Sequence, residues 1–128
     1  MRSSIRSTSP RSCSGGRSAE GYDSTLVRLD TDEGITGWGE MAPLGSFYDP
    51  SFAGGAREGL RILAPLVIGL DPREHSSLTR AMDHHLTGHP YAKSALDMAA
   101  WDASGTAAGL PLAELFGGRD GDSVELYR

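Results

Sequence analysis

At 128 residues the chain is the size of one domain, able to bury a modest core. Hydrophobic content of 38% and mean hydropathy of −0.31 fit a globular protein, and no run approaches the about 18 apolar residues of a membrane-crossing helix. Net charge is −5, yet Arg2, Arg6, Arg11 and Arg17 all precede the first acid, Glu20, which leaves about −9 for residues 20–128. An acidic body of this kind lacks the basic stripes on which nucleic-acid binding depends. The single cysteine, Cys13, has no partner for an internal disulfide and fits a reducing, cytoplasmic setting.

In chain order, MRSSIRSTSPRSCSGGRS is rich in Ser and Arg, acid-free and almost without large apolar residues. It lacks the apolar centre of a secretory signal and the apolar stripe of an organelle-targeting helix. Residues 1–13 are therefore expected to be a disordered tail or an artefact of the start site. Order is expected from about Asp23. Thr25, Val27 and Leu29 alternate with Leu26, Arg28 and Asp30, the period-2 pattern of a half-buried strand. Asp32-Glu33-Gly34 supplies a turn, and Ile35 to Met41 returns as the second strand of a hairpin.

Ala42 to Pro50 reads as a loop carrying Phe47 and Tyr48 at its tip. Phe52, Ala56, Leu60 and Leu63 then share one helical stripe, which Pro65 is expected to end or kink. Asp71-Pro72 resembles an N-cap followed by a proline at the first helical position, opening a helix striped by Leu78, Met82 and Leu86. His89-Pro90 opens the next helix. Ala92, Ala95, Leu96 and Ala99 form its apolar stripe, with Met98 and Trp101 widening the face. Gly105 and Gly109 weaken its end, Leu112 to Phe116 forms a short last helix, and Gly117-Gly118 stops it. Ser123 to Tyr127 alternates again as one more strand. The fold class is α+β: a small antiparallel hairpin or meander followed by three to four helices.

Candidate chemistry is sparse. Asp30, Asp32 and Glu40 suggest a calcium loop, but glycine falls at its fifth place and Glu40 at the eleventh, so the register fails. His84, His85 and His89 form an HHxxxH cluster, yet Gly88 and Pro90 interrupt the helical geometry that zinc ligation by an i, i+4 pair needs. Asp97 and Asp102 lie five apart, off a shared helix face. Lys93, the only lysine, reads as solvated. Gly37-Trp38-Gly39 lacks the later glycine and the following helix of a phosphate loop. No catalytic residue and no metal ligand is assigned within the chain.

One stretch carries more. Ala92, Ser94, Ala95, Leu96, Asp97, Ala99, Asp102, Gly105, Pro111, Leu112, Leu115, Phe116 and Gly117 stand in the order of a helical signature. On these residues the chain resembles the N-terminal capping domain of the mandelate racemase/muconate lactonizing enzyme family of the enolase superfamily. Thr106 departs, standing where the family usually has Lys, Arg or Gln. The hairpin DEGITGWGE and the junction LVIGLDP are similar to the family's corresponding segments. PLGSFYDP and GHPYAKSALDMAAWD are most similar to its hydroxyproline dehydratase and proline-betaine epimerase group.

The resemblance implies a capping domain over residues 14–121, with 122–128 beginning a (β/α)8 barrel that the chain does not contain. It also implies a first apolar strand, in whose place stands MRSSIRSTSPRS, so the expected sheet is reduced to two strands. Family enzymes remove the proton α to a carboxylate and stabilise the enediolate on Mg2+, with bases and metal ligands on the barrel. The cap contributes two loops, by position Ser14 to Asp23 and Leu44 to Pro50. Ser46, Phe47 and Tyr48 are the implied substrate-binding residues. The implied partners are a small, possibly amino-acid-derived carboxylate and a barrel domain, with no nucleic acid and no membrane. Alternatives are a stand-alone interaction module or a non-functional truncation product, and a lone cap is expected to expose an apolar patch.

Overall fold

The computed structural model describes residues 1–8, 23–43 and 52–126. Three antiparallel strands in the order β1-β2-β3 come first: β1 Ser3–Thr8, β2 Thr25–Thr31 and β3 Thr36–Met41. Four helices follow: α1 Phe52–Val67, α2 His75–His85, α3 Pro90–Ala108 and α4 Leu112–Leu115. The arrangement is α+β, with no closed barrel among the described residues.

The sheet has three strands, not two, and residues 3–8 are not a disordered tail. β1 runs from Ser3 opposite Thr31 to Thr8 opposite Leu26. Its polar composition is explained by what its inner face meets. Ser3 is buried, and its Oγ donates to the carbonyl of Val67 at 2.7 Å, with the carbonyl of Leu70 at 3.1 Å. The hydroxyl thus gives the Val67 carbonyl, at the C-terminal end of α1, a second partner beside the Leu70 N–H. Gly69 N–H donates to the Ser3 carbonyl at 3.0 Å on the outer edge of the strand. Ser3 is thus bonded on both sides, to β2 and to the segment after α1, and Ile5 packs on the core.

The β2–β3 hairpin follows its alternation, with Thr25, Val27 and Leu29 buried and Leu26 and Arg28 outward. Gly34 takes φ +78° in the turn, and Thr31 Oγ1 accepts the Ile35 N–H at 3.0 Å. The sheet rests on α3 through fully buried Ala92, Ala95, Ala99 and Ala103. Above these alanines β3 presents Gly37 and Gly39 on its buried face. A Cβ on Gly39 would collide with the Ala95 carbonyl oxygen, and one on Gly37 with that of Ala99. A Cβ on Gly37 would also lie 2.6 Å from Ala103 N. The backbones approach so closely that only glycine fits, a use of glycine set by packing rather than by turning. Since β3 meets Ala103, then Ala99, then Ala95 as it runs from Gly37 to Gly39, strand and helix are antiparallel.

Other boundaries differ from their expectations. α1 carries Pro65 inside and continues to Val67, because the proline costs one bond of the last turn only. α2 starts at His75, with Glu74 at its cap. Asp71-Pro72 instead forms a turn before it, in which Asp71 accepts the Arg73 N–H at 3.0 Å. Arg73 also bonds that carboxylate through Nη2 at 2.6 Å, and this guanidinium lowers the Asp71 pKa to about 2. α3 ends as a Schellman motif: Leu110 N–H reaches the Gly105 carbonyl at 3.0 Å and Gly109 N–H the Thr106 carbonyl at 3.2 Å. Met98 is outward, so it does not widen the buried stripe. Residues 123–126 form no strand, and Val124 and Leu126 are exposed.

Gly39→Ala is expected to destabilise the fold by about 3 kcal/mol or more, at or above the upper range for overpacking, because backbone rather than a flexible side chain must move. Chemical denaturation measures this. A change no larger than that of Gly54→Ala, an exposed α1 position where alanine is expected to be neutral or stabilising, would show that β3 and α3 are not in hard contact.

Candidate functional site

Both long segments outside the described residues, 9–22 and 44–51, leave the sheet at one end. Thr8 pairs with Leu26, and Thr25 pairs with Met41, so the three strand ends that carry the loops lie side by side. Asp23, at the re-entry of the first segment, accepts a hydrogen bond from Arg57 Nη1 at 2.9 Å. Arg57 sits on α1, the helix that the second segment leads into. Ser46, Phe47 and Tyr48 lie outside the described residues.

A second feature lies towards the hairpin end, where α3 finishes. Trp38 of β3, Asp97, Met98, Trp101 and Asp102 of α3, and Leu112 and Phe116 at α4 line a cleft of about 630 Å3. Trp38 is placed by its neighbours: with Gly37 and Gly39 inward, it must point outward. Its backbone N–H, on the free edge of β3, donates to Asp102 Oδ2 at 2.8 Å. Asp102 is thus a strand-edge cap that removes an open donor. Arg28 lies 5.8 Å from the centroid of the Trp38 ring and bonds Asp30 through Nε at 2.8 Å.

Two of the cleft's rings, Trp101 and Phe116, belong to a stack that His75 completes from outside the lining. His75 lies parallel to Trp101 at 3.5 Å between centroids, and Phe116 meets Trp101 edge-on at 4.7 Å. Ser104 Oγ donates to the Ala100 carbonyl at 2.8 Å, so its contact with His75 Nε2 at 3.3 Å is one it accepts. That leaves the buried His75 Nδ1 without a hydrogen-bond partner among the described residues. Burial pushes the His75 pKa down, with Asp97 opposing. Ser104 and His75 do not form a nucleophile–base pair: the serine is buried, its proton is committed to a carbonyl, and no carboxylate orients the imidazole.

The remaining candidates have structural surroundings. Lys93 Nζ pairs with Asp83 Oδ1 at 2.7 Å and ties α3 to α2. His85 Nδ1 bonds the Ala81 carbonyl at 2.8 Å, and His84 meets His85 edge-on. His89 caps α3 with φ +52°. Among the described residues no three His, Cys, Asp or Glu side chains gather at a metal-binding distance. These residues therefore do not fit a Mg2+ site. The His75–Trp101 stack joins two helices that share no periodicity, and only the ring types themselves hinted at it.

A three-stranded meander lying on an alanine-faced helix, with the polypeptide leaving the sheet twice at one end, defines a small α+β domain. Residues 7–117 match the model of the mandelate racemase/muconate lactonizing enzyme N-terminal domain, and the chain belongs to that family. It is 51% identical over 117 residues to cis-3-hydroxy-L-proline dehydratase of Roseibium aggregatum, covering 91% of this chain and 32% of that enzyme. It is 35% identical to a hydrophobic dipeptide epimerase of Enterococcus faecalis, over 82% of this chain and 29% of that one. A solved family structure from Roseovarius nubinhibens, complexed with magnesium, superposes with a TM-score of 0.80 at 44% identity, covering 94% of this chain and 34% of that one. The chain thus spans about a third of the length of the relatives it matches. No helix among the described residues is long and apolar enough to cross a membrane.

The sign of the His75 shift sets a pH dependence. The folded pKa lies below the usual 6.5, so the unfolded state takes the proton first. This contribution to stability is complete above pH 6.5 and is lost as pH falls through the folded value. His75→Phe, which keeps a ring on Trp101, is expected to flatten the fall in Tm between about pH 7 and about pH 5. Parallel Tm profiles for the variant and the parent would remove His75 as the cause.

Proposed function

We propose that this domain is the capping unit of a Mg2+-dependent, cytoplasmic enzyme that abstracts the proton α to a carboxylate, acting on a hydroxyproline-like substrate. The observation that carries this reading is the strand register, which sets the stems of both loops side by side. Two loops rooted together can close over one small molecule. The 51% identity to cis-3-hydroxy-L-proline dehydratase supports the substrate class, and magnesium in the solved relative supports the metal.

Dehydration of a 3-hydroxyproline breaks the Cα–H bond and the adjacent C–OH bond, forms C=C, and releases water. Mg2+ bound to the barrel supplies positive charge where the enediolate develops. The cap contributes exclusion of water and orientation. In this reading Phe47 and Tyr48 place aromatic faces against the ring ammonium, and Ser46 offers a hydroxyl to the substrate. Residues 14–121 together with β1 make up the cap, and the bases and metal ligands belong to a barrel domain.

The test places this full chain ahead of the barrel of the Roseibium aggregatum dehydratase, in place of that enzyme's own cap. Turnover of cis-3-hydroxy-L-proline is expected, and Tyr48→Ala should raise KM about tenfold. A folded fusion that turns over dipeptides but not hydroxyproline would refute the substrate class. Calorimetry on the 128-residue chain alone is expected to show no Mg2+ binding at micromolar concentration, and binding there would overturn the assignment of the metal to the barrel.

A further inference from the structure

We infer that the cleft between β3, α3 and α4 is a docking seat for an arginine side chain presented by the barrel domain; this deepens the capping-unit reading and rests on it. The walls are apolar and open to solvent: Trp38 is 48% exposed, Met98 41% and Phe116 63%. Rings of this size are not left uncovered without cause on a small domain. The charge in the cleft is negative. Asp102 is committed to the Trp38 N–H, whereas Asp97 makes no hydrogen bond or ion pair among the described residues. It is a half-buried carboxylate beside aromatic faces.

That combination matches a guanidinium more closely than an ammonium. The planar group stacks on Trp38 or Phe116 while its paired N–H groups reach a carboxylate, which a point charge on a flexible stem cannot do as well. The chain's own basic residues near this face do not serve: Arg28 is bonded to Asp30 and lies by Trp38. The barrel is the source favoured by position. The matched family model is an N-terminal domain, and the relatives are about three times the length of this chain. Phe116, in the cleft wall, immediately precedes the Gly117–Asp122 segment through which the polypeptide of such relatives continues.

The chain has two tryptophans, Trp38 and Trp101, and both line the cleft. Their two indole N–H resonances therefore report on it directly. Titrating the 128-residue chain with N-acetyl-arginine methylamide is expected to shift both saturably at millimolar concentration, while the norleucine analogue does not. Asp97→Asn, which keeps shape and removes charge, should weaken the effect about tenfold. Equal shifts from both probes, or an unchanged Asp97→Asn, would overturn the arginine seat.

Hydrogen exchange on the barrel fusion separates the two readings. Residues 97–116 should be protected in the fusion relative to the free chain, and Asp97→Asn should reverse that protection. A fusion that turns over hydroxyproline with residues 97–116 unprotected refutes the docking seat and leaves the function standing. A protected, Asp97-dependent fusion without turnover does the opposite.

Discussion

The hard contact between β3 and α3 is the constraint on which the rest of the domain depends. Gly37 and Gly39 lie on Ala95, Ala99 and Ala103 with no room for a methyl group between them. Small residues on both sides bring the backbones together, and dense interiors respond to added volume by strain rather than by flow. Once the two glycines face inward, the strand's alternation leaves Trp38 no choice but to face out. Its N–H then lies on the open edge, where Asp102, next to Ala103 of the alanine stripe, meets it. One packing decision thus sets the sheet position, the edge cap and one wall of the cleft.

Where side chains alternate or recur against a core, the sequence states the structure openly. Val27 and Leu29, then Ala92, Ala95, Leu96 and Ala99, are buried as their periodicities require. β1 was hidden because its evidence is in partners rather than in side chains. Ser3 becomes a core residue only when the carbonyls of Val67 and Leu70 are brought to it from more than sixty positions away. Asp71-Pro72 has the chemistry of a helix start, yet Arg73 draws that carboxylate into a local turn and the helix begins later. Ser123 to Leu126 alternates with nothing to pair against among the described residues, and alternation without a partner makes no strand.

The cleft was less legible still. Trp101 was expected on the buried face, and its role became visible only with His75 stacked on it from α2. No pattern within either helix encodes that contact. Burial in the stack lowers the His75 pKa, and Asp97 opposes that shift.

The loops and the cleft lie towards opposite ends of one rigid pair. Because α3 runs antiparallel to β3, its first turn lies towards Met41 and the loop stems, and its last turn and α4 lie towards the hairpin. A helix of 19 residues spans about 28 Å, and the alanine–glycine contact along it leaves no slack. A displacement of the cleft end would therefore be carried to the end where β1, β2 and β3 meet residues 9–22 and 44–51. Arg57 on Asp23 extends the same rigidity from α1 to the root of the first loop. The framework is thus held by packing, and residues 9–22 and 44–51 attach where that packing ends.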